Sequence, residues 1–180
     1  MNIMALDLEM NQNSGKIIQV GYAIANTDTQ VITQYPGIWV SIDEELNPKI
    51  IQLCHINTDV YNTEKTTLKH AYDIMAEEYK AKECRMNAIT WGGGDTECLR
   101  KQLGMEDTRW VFGRRWIDTK SIAQSYFVAN GTSHPGGLAK SMTKLGLKFE
   151  GTKHRADDDA YNTIRVYLHL LNKLKDKLND

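Results

Sequence analysis

Apolar side chains at Ile3, Met4, Ala5, Leu6 and Leu8 predict a buried strand near the start of the chain. Asp7 and Glu9 interrupt the run. Successive side chains on a strand point to opposite faces, so these two carboxylates, two positions apart, share one face. Lys16 to Asn26 and Gln30 to Val40 are rich in β-branched and aromatic residues and flank the polar Thr27-Asp28-Thr29. With the first strand they predict an antiparallel meander. Pro48, in a first-turn position, opens a short helix to about Cys54. Leu68, Tyr72, Met75 and Tyr79 give one apolar face to a longer helix over Thr66 to Lys82.

Arg85 to Trp91 reads as a fourth strand that ends in Gly92-Gly93-Gly94, and Asp95 to Leu103 as the helix that follows. A further strand near Trp110 to Ile117 leads into a helix over Asp118 to Phe127. Asn130-Gly131 and His134-Pro135-Gly136-Gly137 mark a loop, and Leu138 to Leu145 a short helix closed by Gly146. The last helix begins near Asp157, with Ala160, Ile164, Tyr167, Leu171, Leu174 and Leu178 as a core stripe. Three strands followed by helices interleaved with further strands predict an α/β or α+β layer structure with a mixed sheet.

Composition narrows the class without naming a function. The 180 residues suit one domain over 1–180, and 41% hydrophobic with 25% charged residues is ordinary for a globular protein. No apolar run is long enough to span a membrane, and Met1-Asn2-Ile3-Met4 lacks the regions of a signal peptide. Cys54, Cys84 and Cys98 are odd in number and lack Cys/His ligand spacing, which argues against a disulfide framework or structural zinc and suits a cytoplasmic location. A net charge of -1 with a pI near 6.5 gives no bulk electrostatic signal for nucleic acid.

The chemistry-bearing residues are acids. Like charges at the end of a buried strand raise each other's pKa unless a cation or donors sit between them, so Asp7 and Glu9 are either a site for a hard divalent cation or the solvated face of an edge strand. Asp95 falls beside the apolar stripe of its helix, at the carboxyl end of a strand, where α/β sheets bind ligands. It is equally a standard N-cap. The preceding glycines lack both phosphate-loop patterns. In His154-Arg155-Ala156-Asp157-Asp158-Asp159, three acids suit a helix start, but the phase of Asp159 brings it towards the core stripe. Four such carboxylates would be neutralised by two divalent cations, the arrangement that clamps the oxygens of a phosphoryl displacement. His154, on the preceding loop, is of the residue type that most often takes a proton from water as general base.

Taken together, Asp7-x-Glu9, Asp95 after the Trp91-Gly92 strand end, and His154-x-Ala156-x-x-Asp159 resemble the three motifs of the DEDDh (DnaQ-like) 3′→5′ exonucleases. The resemblance spans about residues 3 to 172, and Gly136-Gly137-Leu138 with Lys144 to Arg155 looks most like the small ERI-1/KapD-like branch. The sister class carries a tyrosine where this chain has Arg155.

The resemblance implies an RNase H-like fold with a mixed five-stranded sheet, and a metal-dependent nuclease (hydrolase) that frees nucleoside 5′-monophosphates from single-stranded RNA or DNA 3′ ends. RNA is favoured. It implies Asp7, Glu9, Asp95 and Asp159 as metal-binding residues for two ions, magnesium or manganese, and His154 as general base.

For substrate, the resemblance points to Met10 and Asn11 after the first motif, and to Ile56 as a base-stacking residue, where ordinary core is the competing reading and His55 replaces a glycine frequent in the family. Arg155 is a nucleic acid binding candidate for phosphate, as are Lys140, Lys144, Lys148, Lys153, Arg114 and Arg115. A DNA-trimming or proofreading exonuclease, and a non-catalytic module binding a nucleic-acid end or a protein partner, are the alternatives.

Overall fold

The computed structural model describes residues 1–105, 110–133 and 136–179, with side chains to 177. Two long antiparallel strands, β1 (Asn2–Met10) and β2 (Ile17–Asn26), form its spine. The predicted third strand is present but broken: β3 (Ile32–Gln34) and β4 (Ile38–Trp39) both pair with β2, on either side of Pro36-Gly37. Proline cannot donate to a ladder, which accounts for the gap.

On the other edge, β5 (Ile89–Thr90) pairs with β1 and β6 (Ile117–Asp118) with β5, both in parallel. The sheet runs β3-β2-β1-β5-β6, with β4 continuing the β3 edge. Counting β3 and β4 as one interrupted strand, this is the expected mixed five-stranded sheet. The predicted strands over Arg85 to Trp91 and Trp110 to Ile117 shrink to two-residue ladders, because their flanking residues are taken up in turns and loops.

Helices cover both faces. On one, α3 (Leu68–Ala81) and α4 (Asp95–Leu103) pack on Met4, Leu6, Leu8, Val20, Tyr22 and Ile24, with Phe112 wedged edge-on between Tyr72 and Tyr79. On the other lies α7 (Ala156–Asn179), whose Ile164 and Leu168 meet Ile3, Ala5, Ala23, Ala25 and Ile89. The far side of α7, through Val166 and Leu170, is buried by α5 (Thr119–Ala129) and α6 (Leu138–Lys144).

The expected stripe on α7 holds from Ala160 to Leu171 and then ends: residues 173–177 are exposed, and Leu174 stands in solvent where the helix has left the sheet. Leu178, His134 and Pro135 lie outside what is described. Below the β4 edge, α1 (Pro48–Leu53) is joined by α2 (Thr58–Glu64), a helix not expected from the sequence, which Asn57 caps by accepting from the Asp59 and Val60 amides. No helix among the described residues is long and apolar enough to cross a membrane.

Candidate active site

Asp7 and Glu9 stand on the α7 face of β1, in register with Gly21 and Gln19 of β2. That pairing brings the start of α7 onto the strand end. At Gly21 a Cβ would lie 1.9 Å from the Ala156 carbonyl carbon, so only glycine lets the helix come this close. Gln19 is fully buried, and its Oε1 accepts from the Ala156 amide at 3.1 Å, filling one donor of the helix's open first turn. Asp159, one turn in, is thereby set beside the strand carboxylates.

The His154 loop is tied down from the same helix. Asn162 accepts from the Glu150 amide at 3.1 Å and donates to the Glu150 carbonyl at 2.7 Å. Asp158 accepts from the Thr152 amide at 2.8 Å and from Gln34 Nε2 at 2.8 Å, and Asp159 Oδ2 accepts from the His154 amide at 2.9 Å. The three consecutive acids therefore have separate tasks. Asp157 pairs with Arg155, Asp158 clamps the loop, and Asp159 faces the strand acids while fixing the His154 backbone. His154 holds a left-handed φ of 61°. A ring nitrogen of His154 and one oxygen each of Glu9 and Asp159 lie within 4.8 Å of one another.

Asp95, at the start of α4, completes the cluster. The capping position of α4 is held by Gly94, at φ 120° and with no side-chain cap bond, so Asp95 is the first helical residue and its carboxylate is not spent as a cap.

The electrostatics report how closely the four acids converge. Burial, and then the charges of Asp95, Asp159 and Glu9, hold Asp7 well above the usual carboxylate range. Burial pushes Glu9 up to about 7, against a lowering contact from Cys54, whose Sγ is 3.4 Å from Glu9 Oε2. Burial also lifts Asp95 to about 7 and Asp159 to about 6, the latter opposed by the His154 amide. Such a cluster of half-buried oxygens, short of positive charge, fits what hard divalent cations take as ligands.

Asp7, His154 and Asp159 open into a cleft of about 490 Å³, lined also by Trp91, Lys120, Lys140, Phe149 and Lys153. Two of the predicted phosphate contacts, Lys140 and Lys153, are thus at the cleft. Lys144 is turned away to the Ser133 carbonyl and the Phe127 ring. Lys120 was not foreseen; its place two residues past the end of β6 was the available signal.

The suggested substrate contacts are placed less favourably. Met10 turns to the opposite face of β1, with its Sδ 3.6 Å from Cys98 Sγ. Asn11 is buried and holds Glu44, the Glu45 carbonyl and the Asn47 amide. Ile56 is buried with Trp39, Ile50 and Tyr61, and Arg155 lies 4.9 Å over the Trp39 ring.

A sequence model of the family described as Exonuclease matches residues 4–167. ERI1 exoribonuclease 2 of Homo sapiens is 31% identical over 93 residues, which is 48% of this chain and 12% of that protein. The chain thus spans about an eighth of that relative's length. Among solved structures, the nuclease domain of 3'hExo, a DEDDh family member bound to rAMP, superposes with a TM-score of 0.78 at 20% identity, covering 96% of this chain and 92% of that one. Cell-death related nuclease 4 superposes at 0.81 with 14% identity, covering 96% and 64%. With the family match running from the first strand into the last helix, and with the Asp-x-Glu, Asp and His-x-x-x-x-Asp residues gathered at one strand end, the chain belongs to the exonuclease family, in its DEDDh branch.

Proposed function

We propose that this chain is a metal-dependent 3′→5′ exonuclease that shortens single-stranded RNA from its 3′ end and releases nucleoside 5′-monophosphates. The observation that carries the reading is the convergence of Asp7, Glu9, Asp95 and Asp159, all lifted in pKa, with the His154 ring at the mouth of a lysine-lined cleft. The four carboxylates would hold two divalent ions, Mg2+ or Mn2+, which supply charge neutralisation and Lewis acidity at the scissile phosphate.

The remaining steps belong to the protein. Lys120, Lys140 and Lys153 draw the phosphate backbone into the cleft, and Trp91 and Phe149 offer aromatic surface to a base. The His154 ring, held by its own backbone bond to Asp159, takes the proton of the attacking water. Attack on the last phosphodiester frees the terminal nucleotide with its 5′ phosphate. RNA is favoured over DNA by the likeness to an exoribonuclease and to a nuclease domain that holds rAMP. One domain over 1–180 and a cytoplasmic location belong to the same reading; the single sheet supports the first, and cysteines that are all free support the second.

The test is mononucleotide release from 3′- and 5′-labelled RNA and DNA of one sequence, with Mg2+, Mn2+ or EDTA. Metal-dependent shortening from the 3′ end, faster on RNA, is expected. Faster trimming of DNA would move the assignment to a DNA-trimming enzyme. No cleavage by a folded sample would leave a module that only binds ends.

A further inference from the structure

A second basic surface lies on the other side of the glycine rim from the cleft. The rim is bare backbone. A Cβ at Gly92 would be 3.8 Å from Lys120 Cδ, at the cleft, and one at Gly93 would be 3.5 Å from Trp116 Nε1, on the far side. Beyond it is a depression of about 180 Å³ whose lining includes Arg100, Trp110, Arg114, Arg115 and Trp116, with Glu97 as its only carboxylate among the described residues. Arg114 and Arg115 are exposed and make no ion pair among the described residues. Trp116 is 38% exposed beside these cations.

The segment is held in shape rather than left to solvent. Gly113 has φ 86°, a Cβ there would fall 2.0 Å from Asn87 Oδ1, and the same oxygen accepts from the Arg115 amide. Ile117 then anchors β6 through its amide to the Ala88 carbonyl at 2.8 Å.

We propose that Arg114, Arg115 and Trp116 form a second nucleic-acid contact, holding the strand several nucleotides from the cleaved end after it crosses the Gly92–Gly94 rim. Two guanidinium groups suit successive phosphates, and an exposed indole suits an unpaired base. The proposal rests on the exonuclease reading and adds to it that longer single strands are preferred substrates.

The experiment compares kcat/KM on 3- and 12-nucleotide RNA for the wild type, R114Q/R115Q and W116A, with anisotropy of a labelled 12-mer in EDTA measured alongside. Each variant should lower kcat/KM on the 12-mer by roughly tenfold and bring the 12-mer to 3-mer ratio towards one. The double variant should also lower the slope of log Kd against log salt by about 1.4, at about 0.7 for each lost single-strand contact. Equal losses on both lengths, or none on the 12-mer, would overturn the proposal. Should W116A fail to fold, the exposed arginine pair carries the test alone. If the wild type cleaves neither length, the exonuclease reading has failed by itself, and anisotropy decides: weaker 12-mer binding by the variants supports the surface, and unchanged binding removes it.

Discussion

The two faces of β1 are built on opposite terms. Met4, Leu6 and Leu8 point into an apolar layer with Tyr72, Tyr79 and Phe112, where burial stabilises the fold. On the other face, Ile3 and Ala5 start in the same manner against α7, and then Asp7 and Glu9 replace apolar contact with buried charge that the protein's own groups do not balance. The ladder with β2 keeps one register through Glu9 and shifts only between Glu9 and Met10, so the difference at Asp7 and Glu9 is one of chemistry. A continuous apolar face makes β1 rigid enough to hold, on its other face, a group of acids that would repel each other apart on a looser support.

The sharpest way to break the comparison is to remove charge from one face and packing from the other. Asp7→Asn should reduce mononucleotide release to background while leaving the melting temperature unchanged or higher, because it relieves repulsion among Asp95, Asp159 and Glu9. Turnover near that of the wild type would show that the acids are not the reaction centre. His154→Ala should cost roughly 10²- to 10⁴-fold in kcat, the range for a general base. Because the loop is held through the His154 amide and not its ring, this variant should melt like the wild type. A loss under tenfold would assign the proton transfer elsewhere.

What was legible in the sequence divides along the same line. Asp7, Glu9 and Asp159 stand out because acids beside apolar runs are costly and a period of two or 3.6 residues says which way they point, whereas Asp95, equally readable as a cap, and His154, on a loop, were assigned through the resemblance of the three motifs. Apolar and β-branched runs predicted both long strands, and the helical stripe predicted most of α7. What could not be read were positions whose role depends on a distant element. Gly21 matters because Ala156, far along the chain, passes within van der Waals reach, and Gln19 because it meets the same helix end. The small residues Gly21, Ala23 and Ala25 on alternate positions of β2 were the only trace of that approach. Asn11 misled in the other direction: the resemblance implies a substrate contact after the first motif, yet the Asn11 amide closes the loop over Glu44 to Asn47.

On the packed face the effect should be smaller in turnover and larger in stability. Leu6→Ala leaves a cavity beneath α3 and should cost about 2–5 kcal/mol. In a chain of this length that lowers the melting temperature by roughly 2–4 °C for each kcal/mol. Activity per folded molecule, measured well below the new midpoint, should stay within a few-fold of the wild type. A loss as deep as that of Asp7→Asn would mean that the two faces are not separable.

The mildest probe is pH. Glu9 and Asp95 are raised to about 7 and Asp159 to about 6, so between the ordinary carboxylate range and pH 7 the folded, metal-free protein binds more protons than the unfolded chain. These acids make stability fall as pH rises through that window, the reverse of a salt-bridged acid, against an opposite contribution from His169, whose pKa burial lowers. In EDTA, the melting temperature should be highest near pH 5 and decline by a few degrees towards pH 8. Mg2+ or Mn2+ should abolish the decline, since a cation that binds only the folded, ionised cluster takes over the role of the protons. A melting curve in EDTA that is flat or rising over pH 5–8 would mean that the charged face of β1 is balanced within the protein, and that its acids are held together without need of a metal.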